Sequence, residues 1–407
     1  MLQVAARRVR RLWPDASIEV LTDSPENLHR YCPGTKPLSR VGRDRWIGEG
    51  FAFGRFHRHL PEWATSALRE LGELLERRLP AVLRTIVRLR LSLRDDEHVR
   101  KGVVAFLEAM ENADLLVVCG AGGFADSCRE WNLTTLSTLE AAIRRKVPIV
   151  MLGQGMGPLT DTDVLARARR VLPAVSLITL RGTLGGPALI EALGVAQSRL
   201  QTTGDEAIEL AYDARPATLG RALGINLRVA SYAQVESGLT EKLGPVLQSF
   251  ARCHDAPILP VPIAFHTWAS DHLAIRRVLA GFDDESDGGL SLDTPLKVIE
   301  QAGRCRVVVT GAYHAAVFSL AQGIPVVCLA KSSYYVAKFL GLADQFGLGC
   351  ETVLLDDPDV LTKLRASVES AWDSAETVRN PLQQAALRQI ELSRGAYERV
   401  RDLLQSR

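Results

Sequence analysis

The sequence predicts an α/β protein of two Rossmann-like domains with mostly parallel sheets. Apolar runs of strand length alternate with helical patterns from about residue 113 onward. Several of those runs end directly in glycine-bearing turns, the usual sign of a strand handing over to a helix at a crevice. The alternation breaks at the DARPATLG stretch, residues 213–220, and then resumes. That break divides a first domain, residues 1–216, from a second, residues 217–380. Residues 381–407 form a last helix long enough to pack back on the first domain.

The elements follow in order. Leu2–Leu12 is helical and Arg-rich, and Ala16–Thr22 is a strand after the turn-prone Pro14-Asp15. Residues 65–110 read as helical. Within them Arg77, Arg78, Arg84, Arg88, Arg90 and Arg94 interleave with Leu79, Val82, Leu83, Ile86 and Val87. Residues 77–94 therefore suit either a packed helix with a solvated basic face or peripheral contact with an anionic membrane. Strands are expected at Ala113–Cys119, Val147–Leu152 and Ser176–Leu180, with helices at 133–145, 161–173 and 186–193. In the second half, strands fall at Leu223–Leu227, Pro257–Pro262, Arg306–Thr310, Ile324–Leu329 and 351–355. Helices fall at 233–252, 271–280, 295–303, Tyr313–Gln322, 333–340, 360–375 and 381–405.

Composition narrows the function. Lys plus Arg is 49 against 47 for Asp plus Glu, a net charge of +2. A partner held by bulk positive charge, such as nucleic acid, is not expected, so any anion site must be local. The seven cysteines form no CxxC pair, and several lie in apolar runs. That pattern predicts a reducing compartment and no zinc or other metal site. No apolar run is long enough to cross a membrane and no secretory signal is visible, which predicts a cytoplasmic protein.

Four stretches could carry chemistry. Gly120-Ala121-Gly122-Gly123-Phe124-Ala125-Asp126 follows a strand. Its glycines, Gly122 and Gly123 above all, let backbone amides approach an anion, and Asp126 could accept a hydroxyl; a plain tight turn explains it equally well. Gly153-Gln154-Gly155-Met156-Gly157-Pro158, with Gly155 and Gly157 at the strand end, departs from the GxGxxG spacing of dinucleotide sites. In Thr310-Gly311-Ala312-Tyr313-His314, the histidine sits in the first turn of a helix, where the dipole lowers its pKa and favours an anion nearby. Phe265-His266-Thr267-Trp268-Ala269-Ser270-Asp271-His272 offers His266 and Asp271 for hydroxyl binding or proton transfer, unless Asp271 only caps the helix that follows. Arg181, Asp205, Arg228 and Lys331 each lie at or beside a strand end.

The order of these pieces resembles the polysaccharide pyruvyl transferase family. The most specific block is VVVTGAYHAAVFSLAQGIPVVCLAKSSYYVAKFLGL at 307–342. It is joined by LLVVCGAGGFAD at 115–126, MLGQGMGPL at 151–159, TLRG at 179–182, TTGDEAIEL at 202–210 and PVPIAFHTWASDH at 260–272. The resemblance implies a GT-B-like fold and transfer of a pyruvyl group from phosphoenolpyruvate. The acceptor would be a sugar of a cell-surface polysaccharide or its lipid-linked precursor, commonly giving a pyruvate ketal, with no cofactor beyond the donor substrate. It implies acid–base work or phosphate contact for His314, with Asp271 as second candidate base. Arg181 and Lys331 are implied as anion ligands. Two positions depart from the family: Ala312 stands where an Arg is common, and Gly182 where an Asp is common. A nucleotide-sugar glycosyltransferase of the same architecture, and a non-catalytic glycan-binding member, remain alternatives. Family members often begin with a strand and glycine loop ahead of the first helix, so a first strand upstream of Met1 is expected, its absence leaving a sheet edge open.

Overall fold

The computed structural model describes residues 1–48, 82, 85, 97–120, 122–236, 238–266 and 269–406. The basic stretch 77–94 lies outside the described residues except at positions 82 and 85.

In the first half, α1 (Leu2–Leu12), β1 (Glu19–Thr22), α2 (Pro25–Tyr31), β2 (Lys36–Ser39), α3 (Arg40–Gly48) and α4 (Glu97–Asn112) precede the main sheet. β1 does not join that sheet; it pairs in parallel with β2 as a separate two-stranded unit. Next come β3 (Leu116–Cys119), α5 (Arg129–Arg144), β4 (Ile149–Gln154), α6 (Thr162–Val171), β5 (Leu177–Leu180), α7 (Gly186–Ala192), β6 (Leu200–Thr202) and α8 (Ala207–Asp213). The strands form an all-parallel sheet in the order β3-β4-β5-β6. Side chains alternate along a strand, and β4 shows it: Ile149 and Met151 enter one core with α4 and α5, while Val150 and Leu152 enter the other. That second core is closed by Ala5 of α1 and by Ala396, Tyr397 and Val400 from the end of the chain.

The second half contains β7 (Ala222–Asn226), α9 (Gly238–Cys253), β8 (Ile258–Pro260), the short hairpin β9 (Phe265–His266) and β10 (Ala269–Ser270), α10 (Asp271–Leu279), α11 (Pro295–Gly303), β11 (Cys305–Thr310), α12 (Tyr313–Ala321), β12 (Val326–Ala330), α13 (Ser333–Phe346), β13 (Cys350–Leu354) and α14 (Val360–Gln405). Its parallel sheet runs β8-β7-β11-β12-β13. Chain order reverses between β7 and β11, and in open α/β sheets ligands bind at the carboxyl ends of the strands beside such a reversal. Arg228 lies in the loop after β7, and His314 in the first turn of α12, which follows β11.

The final helix differs from the expected pair at 360–375 and 381–405. α14 is continuous through Pro381. A proline inside a helix costs about 3 kcal/mol. Tertiary contacts on both sides of it offset that cost. Arg379 Nη2 donates to Pro216 O at 2.6 Å, and Gln383 Nε2 to Gln322 O at 3.1 Å. Leu382, Ala385 and Ala386 are buried against α12. The helix thus rests on the second half and then crosses to the first. Among the described residues, no helix is long and apolar enough to cross a membrane.

Candidate functional site

The glycine loops after β3 and β4 and the segments after β5 and β6 lie together at the carboxyl edge of the first sheet, and the turn after β11 meets them from the second sheet. Arg181 follows β5 directly and is 4% exposed. Its guanidinium occupies the space above two glycines. A methyl group added at Gly122 would stand 2.2 Å from Arg181 Nη2, and one at Gly155 would stand 2.9 Å from Arg181 Nε. These positions are glycine because an arginine lies over them. The guanidinium also sits over the Tyr313 ring, 4.4 Å from its centroid.

Asp205 anchors the cluster. Its Oδ1 accepts the amide of Ala207 at 2.9 Å at the start of α8, and its Oδ2 accepts Arg181 Nη1 at 2.9 Å. His314 Nε2 faces the same Oδ2 at 3.7 Å. Burial opposes ionisation of Asp205, but His314 and Arg181 override it and hold the carboxyl well below the ordinary range. His314 is 28% exposed, yet its Nε2 is buried and has no hydrogen-bond partner among the described residues. Burial lowers its pKa despite the facing carboxylate, so the imidazole is neutral at neutral pH. A neutral ring with an open nitrogen can accept a proton.

A second charged pair lies at the strand-order reversal. Arg228 Nη2 donates to Asp271 Oδ2 at 3.0 Å, and Nη1 to Tyr232 Oη at 3.3 Å. The same Oδ2 accepts Asn226 Nδ2 at 2.8 Å and the amides of Ile263 and Ala264 at 2.8 and 2.9 Å. Four donors on one oxygen make Asp271 the anchor of the 263–271 turn and of Arg228. Ser270, not Asp271, stands at the helix cap. Gly311 packs on the Arg228 backbone, its added methyl meeting Arg228 N at 2.9 Å, which ties this pair to the His314 loop.

The remaining sequence candidates separate. Gly123 packs under Trp131. Asp126 turns away from a ligand role: its oxygens accept Thr160 N, Thr160 Oγ1 and Asp161 N at 2.8–3.0 Å, pinning that loop. Gly157 adopts φ +81°, a left-handed conformation that favours glycine, and its amide donates to Phe124 O at 2.7 Å. His266 lies in the β9–β10 hairpin, in register with Ala269. Lys331 is exposed, and no ion pair joins it to the cluster among the described residues.

Sequence reasoning missed Lys338. It lies on α13, whose charged residues are only Lys338 and Asp344. Lys338 donates to Tyr334 Oη, and its Nζ stands 3.8 Å from the Tyr334 ring centroid. Tyr334 Oη in turn donates to Gly122 O at 2.7 Å, joining the two halves across the cleft. A charged residue one turn after a Tyr-Tyr pair in an apolar helix was the available signal.

Glycine loops cradling Arg181, with His314 opposite on the helix after β11, therefore come from motifs spread over both halves. The family described as polysaccharide pyruvyl transferase matches residues 1–333. The chain belongs to that family. Its fold is GT-B-like. Similar solved structures include the S. aureus MnaA–UDP co-structure, at 11% identity, covering 95% of this chain and 91% of that one, TM-score 0.52. A second is a UDP-N-acetylglucosamine 2-epimerase, at 13% identity, 96% and 91% coverage, TM-score 0.51. A third is the UDP-GlcNAc 2-epimerase of Methanocaldococcus jannaschii, at 11% identity, 96% and 95% coverage, TM-score 0.50. At these identities the likeness is one of fold. No curated protein matches the chain. In this member of the pyruvyl transferase family the Arg181–Asp205–His314 group spans the two halves, and the Ala312 position is filled by a buried methyl.

Proposed function

We propose that the protein transfers a pyruvyl group from phosphoenolpyruvate to a sugar hydroxyl of a cell-surface polysaccharide or its lipid-linked precursor. The observation that carries this is the juxtaposition of buried Arg181 with His314, whose Nε2 is unpartnered, over two glycine loops. Arg181 holds the anionic donor, each charge-assisted hydrogen bond contributing about 1.5–3 kcal/mol. A proton drawn from solvent adds to the donor methylene carbon and leaves an oxocarbenium-like centre at the adjacent carbon. The sugar oxygen attacks that carbon while His314 accepts the hydroxyl proton. The C–O bond to phosphate then breaks, a second sugar hydroxyl attacks the same carbon, and the departing phosphate takes up that hydroxyl's proton as the ketal closes. Asp205 keeps the imidazole oriented and Arg181 in place.

Thermal stability with phosphoenolpyruvate, UDP-GlcNAc and GDP-mannose in parallel tests the donor. Protection by phosphoenolpyruvate alone is expected. Protection by a nucleotide sugar alone would overturn pyruvyl transfer in favour of glycosyl transfer.

A further inference from the structure

We propose that Lys338 and Arg181 form a phosphoryl subsite roofed over Gly122, with Lys338 supplying the charge that selects a dianion. This rests on an anionic donor entering the cleft described above. A point built on Gly122 lies 2.2 Å from Arg181 Nη2 and 3.1 Å from Lys338 Nζ. The two cations are therefore within about 5.3 Å of each other, close enough for one phosphoryl group to bridge them. Arg181 is neutralised by Asp205, whereas Lys338 has no carboxylate partner among the described residues. Its surroundings are aromatic. The ammonium lies over the rings of Tyr334, Tyr313 and Tyr335, at 3.8, 5.6 and 5.7 Å. Aromatic faces hold a cation but do not cancel its charge. A buried ammonium left in excess is costly until an anion arrives.

The charged and titratable groups facing Lys338 come from several elements: Arg181 after β5, Asp205 after β6, Cys128 before α5, Arg228 after β7, Tyr313 on α12, and Tyr334 and Tyr335 on its own helix. Burial, followed by Arg181, drives the Lys338 pKa well down. A dianion opposes that shift, so any proton exchanged at Lys338 on binding is taken up. Position 312, where the family commonly carries Arg, has no charge here, and α13 provides one from the other side of the site.

Isothermal titration calorimetry with inorganic phosphate, phosphoenolpyruvate, UDP and pyruvate tests this, in two buffers of different ionisation enthalpy at about pH 8, where phosphate is already a dianion. Phosphoryl compounds should bind wild type with proton uptake. Lys338→Met should weaken them by about 10- to 100-fold, abolish the uptake and leave pyruvate binding in place. Phosphoryl affinities within about twofold of wild type, or no phosphoryl binding to wild type at all, would overturn the subsite. Should Lys338→Met fail to fold, Lys338→Gln keeps the polar contact to Tyr334 without the charge, and phosphoryl affinities equal to wild type in that variant refute the proposal. UDP binding that depends on Lys338, with phosphoenolpyruvate inert, upholds the subsite and sinks pyruvyl transfer. Phosphoenolpyruvate binding indifferent to Lys338 does the reverse.

Discussion

His314 depends on being neutral and unpartnered. Its lowered pKa places the acid limb of the rate profile below the ordinary imidazole value of about 6.5. Turnover should be flat through neutral pH and fall on acidification; a limb centred above that value would contradict the base assignment. His314→Ala should cost about 10²–10⁴-fold in kcat with little change in Tm. Asp205→Asn should cost stability as well, about 3–5 kcal/mol, because it strands the buried Arg181 charge. Urea titration would measure that. The pH linkage has a definite sign for both groups. Their folded pKa values are depressed, so each stabilises the fold above its unfolded value. Stability is lost as pH falls below about 6.5 for His314 and below about 4 for Asp205. In Gly122→Ala the new methyl pushes the Arg181 guanidinium from its place, so the donor KM should rise, and Tm should fall by less than in Asp205→Asn, which removes the carboxylate itself. An unchanged KM would show that the Arg181 position is unimportant for the donor.

The helix termini and loops position these groups, and their anchors were only partly legible. The strand–glycine–helix signal located Gly122, Gly155, Arg181, Asp205 and His314 without any structure. The role of Asp271 was not legible, because its donors Asn226, Arg228, Ile263 and Ala264 come from two strand ends that the sequence does not bring together. Asp271→Ala should destabilise by about 3–5 kcal/mol, and Asp271→Asn should recover part of it by keeping an acceptor oxygen. Denaturant unfolding of both variants checks this; equal loss in the two would mean that charge alone matters. Pro381 misled in the opposite direction. A local helix breaker is visible in sequence, but the burial of Leu382, Ala385 and Ala386 that carries the helix through it is not.

At the level of the whole molecule, two devices join the halves. One is α14, whose Tyr397 donates to buried Glu206 and packs on β4 and β5. Arg8 of α1 completes that junction, donating to Glu209 at 2.9 Å and to Ser393 at 2.6 Å. The other is the cleft itself, bridged by Tyr334 to Gly122 and by Thr183 to Asp344. Tyr334→Phe removes the first bridge and should raise the donor KM more than it lowers Tm. A selective fall in Tm would instead mark Tyr334 as a structural residue.

By itself the sequence determined the alternation of strands and helices, the family, and the motifs that carry Gly122, Gly155, Arg181, Asp205 and His314. All of these depend on local periodicity and on motifs contiguous in the chain. The tertiary structure decided the strand order that packs Gly311 on the Arg228 backbone, the single helix through Pro381, and the arrival of Lys338 over Gly122. Each of those depends on groups distant in sequence meeting in a buried space, where desolvation and unpaired charge set the chemistry and no local pattern records them.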